Sequence, residues 1–276
     1  MNNLIKESLL KLKQININNP ELDLRILLKY ASKKNNEIIL SNLDVDNIDI
    51  VKFKTSLQKR INRQPIAKII KSKSFWKYDF YVNNNVLDPR PETELIIEQV
   101  LNIYKNKNLK LKILDIGTGS GCIAISLAKE FKNASITAID ISQKALGVAA
   151  KNLKIHNCGN QIQLKLIDFK SINSKFDLIV SNPPYLTNDQ FYNTDPEVKN
   201  FEPKLALFGG DDGLKFYREF SSSLQNLMNK KAYFVCEIGF NQRQDCEEIF
   251  QKSGLNLINI EHDLQGIERI LCFLNI

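Results

Sequence analysis

An α/β fold is expected for this 276-residue chain: a mostly parallel sheet covered by helices on both faces, preceded by a small helical bundle and a β-hairpin. Three observations predict it. From residue 109 onward, short apolar runs alternate with amphipathic helical stripes, as in successive βαβ units. Residues 1–72 carry helical periodicity alone. Between these regions, residues 75–87 switch to an aromatic, strand-like alternation. With 43% hydrophobic residues, the chain can build one large core and one small one. No internal repeat or low-complexity linker interrupts it.

The elements follow in order. Leu4, Ile5, Leu9, Leu10 and Leu12 recur at helical spacing. Pro20 then opens the run through Leu22, Leu24, Ile26, Leu27 and Leu28; proline suits a first helical turn because its missing N–H would have no partner there. Ile48, Val51, Phe53, Leu57 and Ile61 mark a further amphipathic helix, and Pro65 starts a short continuation to Ile70. Phe75, Trp76, Tyr78, Phe80, Tyr81, Val82 and Val86-Leu87 read as the hairpin, with Asn83-Asn84-Asn85 as turn material. In Pro89-Arg90-Pro91-Glu92-Thr93-Glu94, Arg90 is a cation presented rigidly between two prolines. Glu92 and Glu94 suit the positive end of the helix striped by Leu95, Ile96, Val100 and Leu101. Strands are then expected at 110–116, 135–141, 161–167, 176–181 and 232–238, with helices at 121–131, 142–156, 212–228 and 241–252. A long loop separates residues 181 and 212, and strands at 255–261 and 269–274 form a closing pair.

Composition narrows the function classes. The formal net charge is +7, but the lysines are scattered, and Asn, Lys and Ile are used heavily throughout, as an AT-rich genome imposes. The basicity therefore reads as compositional bias rather than a dedicated nucleic-acid surface, and no direct nucleic-acid substrate is expected. Cys122, Cys158, Cys236, Cys246 and Cys272 are odd in number and form no CxxC, so they read as reduced, mostly buried thiols of a cytoplasmic protein. With His156 and His262 as the only histidines, no metal site is expected. No apolar run is long enough to span a membrane, and the N-terminus does not read as a signal peptide. A monomer is expected.

The first strand of the alternating region ends Asp115-Ile116-Gly117-Thr118-Gly119-Ser120-Gly121. Glycines there let a ligand approach the backbone closely. Two details argue against a dinucleotide. The sixth position of the G-x-G-x-x-G/A fingerprint holds Cys122, and Asp115 would repel a pyrophosphate while suiting a cationic or amino ligand. S-adenosyl-L-methionine, with its sulfonium and amino-acid moiety, fits better. Asp140 ends the next strand, where a carboxylate can accept both ribose hydroxyls. Asp168 and Phe169 end the one after; Asp168 is placed to accept from an adenine amino group and Phe169 to lie against its ring.

A fourth strand end carries Asn182-Pro183-Pro184-Tyr185. Two prolines terminate the strand and stiffen what precedes them. The Asn182 side-chain oxygen and the Pro183 carbonyl are then two acceptors on a rigid arm, matched to the two hydrogens of a planar NH2 group, with the Tyr185 ring able to stack on the flat group. A glycine turn, two acidic strand ends and a proline arm at four successive strand termini point to a methyltransferase.

These motifs resemble those of the HemK/PrmC family, the protein-(glutamine-N5) methyltransferases of peptide chain release factors. The resemblance extends over Pro89–Glu94, Asp115–Gly121 and Asn182–Tyr185, then Phe201-Glu202-Pro203, Leu207, Gly209-Gly210, Asp212-Gly213, Glu237-Ile238-Gly239 with Gln242, and residues 266–269. It implies a Rossmann-like, seven-stranded class I methyltransferase domain at 91–276, a linking hairpin at 73–90 and a helical substrate-docking domain at 1–72. It also implies class 1 release factors as partners and the glutamine of their Gly-Gly-Gln motif as substrate. On this reading Asn182, Pro183 and Tyr185 are catalytic, Pro184 and Arg90 help bind substrate, and Gly117, Thr118, Gly119, Ser120, Gly121, Asp115, Asp140, Asp168, Phe169 and Asn182 bind the cofactor. Asp88, Lys68 and Lys71 depart from the family pattern, at positions that bear on docking rather than chemistry. Two other amide or amino acceptors pose the same chemical problem: adenine N6 in DNA or RNA, and a glutamine of a ribosomal protein. A cofactor-binding scaffold without turnover is the non-enzymatic alternative.

Overall fold

The computed structural model describes residues 3–33 and 45–276. The chain divides into two compact units, Met1–Ser72 with Asp195–Phe201, and Lys73–Thr194 with Glu202–Ile276.

In the first unit the helices are α1 (Asn3–Gln14), α2 (Pro20–Ala31), α3 (Ile50–Ile61) and α4 (Ile66–Ile70). Pro20 occupies the first turn of α2, and the Asp49 side chain caps α3 by accepting from the Lys52 amide at 2.9 Å. Their inward faces bury Ile5, Leu12, Leu24, Leu27, Leu28 and Phe53. Val51, expected on the apolar stripe of α3, is instead 77% exposed, and the buried face of that helix is Phe53, Ser56, Leu57 and Arg60. Arg60 donates to Asp23 at 2.6 Å and to Glu197 at 3.0 Å, and Arg63 pairs with Glu197 at 3.0 Å. These ion pairs hold segment 195–201 within the bundle unit. Lys71 closes α4 with φ +58°, a left-handed position that favours glycine.

The second unit opens with strands β1 (Lys73–Phe75) and β2 (Tyr78–Phe80), an antiparallel hairpin. Its turn is Trp76-Lys77 rather than the expected Asn83–Asn85, which makes a separate turn closed by the Val86 amide on the Asn83 carbonyl. Trp76 accepts φ +56° because its two N–H groups are tied, the backbone one to Glu94 Oε1 at 2.8 Å and the indole one to Glu130 Oε1 at 3.0 Å. A single 3-10 turn, Pro91–Thr93, leads into α5 (Glu94–Ile103).

Alternation then proceeds as expected: β3 (Lys112–Ile116), α6 (Cys122–Glu130), β4 (Ser135–Asp140), α7 (Gln143–His156), β5 (Ile162–Leu166) and β6 (Phe176–Ser181). The region read as a long loop contains short helices α8 (Asn188–Tyr192) and α9 (Pro196–Phe201). After it come α10 (Lys215–Leu227), β7 (Met228–Glu237), α11 (Arg243–Lys252), β8 (Leu255–His262) and β9 (Glu268–Asn275). β7 starts earlier than expected, directly after α10. Its polar opening Asn229-Lys230-Lys231 hides the strand, and Lys231 at φ +62° accompanies a shift in its register with β6.

The sheet has seven strands in the order β5-β4-β3-β6-β7-β9-β8. β3 through β7 pair in parallel, and β9 lies antiparallel between β7 and β8. Alternate residues feed two layers: Ile113, Leu178 and Val180 pack with α5 and α6 residues, while Leu114, Ile116 and Ile179 pack with α10 and α11 residues. Strand order reverses between β3 and β6, so the crevice for a ligand opens at the carboxyl ends of these two strands.

Candidate active site

A cleft of about 320 Å³ lies at that switch point, within the size range of small-molecule pockets. Its lining includes Gly117, Thr118, Gly119, Ser120, Asp140, Asp168, Phe169, Asn182, Pro183, Pro184 and Arg90. Asp115, Gly121 and Tyr185 stand behind these residues.

The turn after β3 is shaped by its neighbours. The amides of Gly117 and Thr118 both donate to the Ile139 carbonyl, at 3.0 and 2.9 Å, and the Gly119 amide donates to Asp140 Oδ2 at 3.0 Å. Gly117 and Gly119 have φ of +71° and +55°, a conformation side chains resist. A Cβ on Gly117 would meet no protein atom within 4 Å, so the turn presents bare backbone to the cleft. Asp115 is fully buried, and its Oδ2 accepts from Thr118 Oγ1 at 2.6 Å. Burial pushes its carboxyl up to about 7, against the hydrogen bond from Thr118. Asp115 and the Thr118 hydroxyl therefore shape the turn from within. Asn152, absent from the sequence-based candidates, is also fully buried: its Nδ2 donates to the carbonyls of Ser120 at 2.8 Å and Tyr81 at 3.0 Å, tying hairpin to turn.

Asp140 accepts amide hydrogens on each oxygen, from Gly119 and from Ser142, and burial raises its pKa above the usual carboxylate value. Each oxygen keeps a second lone pair for a ligand. Asp168 is exposed at the next strand end, where its Oδ1 caps a 3-10 turn through the Lys170 amide. Phe169 packs edge-on to Phe216 and Phe220, with ring centroids 5.9 and 5.0 Å away.

The Asn182–Tyr185 arm leaves β6 as a rigid projection. Asn182 Nδ2 donates to Thr93 Oγ1 at 2.9 Å, Thr93 Oγ1 donates to Glu237 Oε2 at 2.5 Å, and Tyr185 OH donates to Glu237 Oε1 at 3.1 Å. Neither Asn182 Oδ1 nor the Pro183 carbonyl is engaged by another described residue. Glu237 is 1% exposed; burial raises it to about 7 although Thr93 and Tyr185 both favour its charged form. The Tyr185 ring is half-buried, and its hydroxyl is turned to Glu237 rather than offered to the cleft. Behind the arm, Gln242 Nε2 donates to the Tyr185 carbonyl at 3.1 Å and Gln242 Oε1 accepts from the Gly239 amide at 2.9 Å. Arg90 reaches the cleft but is paired with Glu202 at 2.6 Å.

The donor set fits S-adenosyl-L-methionine: bare glycine backbone, carboxylates at two neighbouring strand ends, apolar walls from Ile141, Phe169 and Phe216, and no basic side chain in the turn itself. A seven-stranded sheet with β9 antiparallel and this site at its switch point defines a class I S-adenosyl-L-methionine-dependent methyltransferase. The methyltransferase small domain family matches residues 91–196, and the PrmC N-terminal domain family matches residues 3–70. A solved methyltransferase from Pyrococcus furiosus shares the fold at 19% identity, with a TM-score of 0.54 over 79% of this chain and 97% of that one. The release factor glutamine methyltransferase of Buchnera aphidicola is 38% identical over 97% of this chain and 96% of its own length. The chain belongs to the release factor glutamine methyltransferase family. A bifunctional methyltransferase of Rickettsia typhi is also 38% identical over 95% of this chain, which spans about half of that relative, 54% of its length.

Proposed function

We propose that the chain transfers a methyl group from S-adenosyl-L-methionine to the side-chain amide nitrogen (N5) of the glutamine in the Gly-Gly-Gln motif of class 1 peptide chain release factors. Family membership supports the substrate class. The observation that carries the chemistry is the Asn182 arm, which keeps Oδ1 and the Pro183 carbonyl available as two acceptors beside the glycine turn.

The bound donor supplies a methyl group on a positively charged sulfur. Everything else falls to the chain. An amide nitrogen is a weak nucleophile because its lone pair is delocalised, so orientation is the main lever, and it can contribute about 7–11 kcal/mol at best. Asn182 Oδ1 and the Pro183 carbonyl would accept the two N–H bonds and orient the nitrogen towards a bound donor's methyl group. With the donor bound, the new N–C bond would replace the C–S bond, and the surplus amide proton would leave to water. Tyr185 holds the arm through Glu237, and Pro184 stiffens it. Asp140 would accept from the donor's ribose hydroxyls, Asp168 from its adenine amino group, and Phe169 would lie against the adenine. Gly117–Gly121 cradle the amino-acid moiety, with Asp115 fixing the turn. Arg90 forms the substrate-side wall with Glu202. Residues 1–72 serve docking, 73–90 link, and 91–276 catalyse.

The test is mass spectrometry of a purified class 1 release factor after incubation with the chain and labelled donor. One added methyl on the Gly-Gly-Gln glutamine is expected. A ribosomal protein and an adenine-containing nucleic acid run alongside; label entering either of these, with none in the release factor, overturns the reading. Asn182→Ala should lower turnover by at least about 100-fold while leaving donor affinity within a few-fold.

A further inference from the structure

Glu237 and Thr93 form a buried polar pair, 1% and 2% exposed, and Thr93 has no part yet in the proposed methyl transfer. Burying a carboxyl group costs stability, and a well-packed apolar pair in its place is often neutral or better. Its partners are what single it out. Glu237 lies at the end of β7 and holds both ends of the proline arm: Tyr185 directly, and Asn182 through Thr93. The Glu237 carbonyl in turn accepts from Tyr217 OH at 3.0 Å, which anchors the strand end.

We propose that Thr93 and Glu237 are positioning residues that select which end of the Asn182 amide faces the cleft. The inference rests on the reading above, in which Asn182 receives an N–H bond of the substrate amide. The two ends of an asparagine amide are nearly identical in shape and opposite in hydrogen-bonding sense. An asparagine presenting NH2 would set donor against donor and turn the substrate nitrogen away. Something must break that near-symmetry before substrate arrives. Thr93 has one hydroxyl proton, and Glu237 Oε2 takes it at 2.5 Å. The remaining lone pairs of Thr93 Oγ1 can only accept, so they draw the Asn182 NH2 at 2.9 Å and leave Oδ1 for the cleft. The order of donation runs from arm to Thr93 to carboxylate, and the ionised carboxylate, which can only accept, sets its direction.

The experiment compares wild type, Thr93→Val, Thr93→Ser and Glu237→Gln as full chains, measuring kcat and KM for a class 1 release factor and donor affinity by calorimetry. Thr93→Val keeps the shape and removes the hydroxyl; kcat should fall about 10–100-fold, with KM and donor affinity within a few-fold of wild type. Thr93→Ser restores the relay and should recover most of that loss. Glu237→Gln should lower kcat in the same manner, because a carboxamide can donate to Thr93 and reverse the chain. If wild type methylates the release factor and Thr93→Val matches it, or if the Val and Ser variants fall together, the inference is wrong while the reading of the function stands. A wild type that leaves the release factor unmethylated refutes that reading, and the inference with it.

Discussion

Asp115 and Glu237 are each fully enclosed carboxyl groups, raised to about 7 by burial. Around Asp115 stand Thr118 and the Asp140 charge; around Glu237 stand Thr93, Tyr185, Glu92 and Arg269. Each binds a proton in the folded chain over a range in which the unfolded chain has already lost it. The folded state is therefore favoured below the ordinary carboxylate pKa, and that contribution is lost as pH rises through 7. Between pH 5 and 7, each group adds a slope of up to about 1.4 kcal/mol per pH unit, with stability falling as pH rises. Urea titrations across this range should show Asp115→Asn with a shallower slope than wild type by about one group's share; equal slopes would mean the carboxyl is ionised throughout. Residue by residue, the site was legible where chemistry sits at a strand end. Asp140, Asp168 and Asn182 declare themselves because an apolar run stops and a polar residue follows. Thr93 and Glu237 fall within stretches that carry the family resemblance, but their contacts with the arm are not readable there, and Asn152 carries no signal at all. Thr93 precedes Asn182 by 89 positions and Glu237 by 144, and only the finished sheet makes them neighbours.

At the scale of elements, the proline arm is rigid because of what backs it as much as because of its own prolines. Leu186 and Phe208 form an isolated parallel bridge, with the Leu186 amide on the Leu207 carbonyl and the Gly209 amide on the Leu186 carbonyl. That brings Gly209 so close that an added Cβ would lie 2.6 Å from the Pro184 carbonyl oxygen and 2.7 Å from Tyr185 Cα. Both are backbone atoms and cannot swing aside. Gly209→Ala should displace the arm and reduce methyl transfer about 10–100-fold in single-turnover assays, with donor affinity changed much less. Unchanged single-turnover rates would show that the arm tolerates displacement. Most helices and strands could be read from periodicity, since the buried stripe of α10, Tyr217, Phe220, Leu224 and Leu227, falls at helical spacing. The exceptions have local causes. The hairpin turns at Trp76-Lys77, bulky residues that no turn propensity favours, because hydrogen bonds to Glu94 and Glu130 stabilise them. α8 and α9 are only 5 and 6 residues long, too short for a periodic stripe.

For the whole molecule, one hydrophobic cluster in the first unit and two in the second match the two hydrophobic regimes of the sequence, the helical stripes up to residue 72 and the alternating pattern beyond 109. What composition could not reveal is that residues 195–201 return to the first unit, because that return depends on Glu197 meeting Arg60 and Arg63. Among the described residues no helix is long and apolar enough to cross a membrane. The chain's one tryptophan, Trp76, stands at the hairpin tip of the second unit, half-buried, with its indole N–H on Glu130. Its emission is thus an intrinsic optical reporter for that unit, while the bundle carries no indole and melts unseen by tryptophan emission. Followed in one urea titration, fluorescence should trace the second unit's transition and far-ultraviolet circular dichroism the sum of both. The difference between the two curves then isolates the bundle's unfolding without any label having been attached.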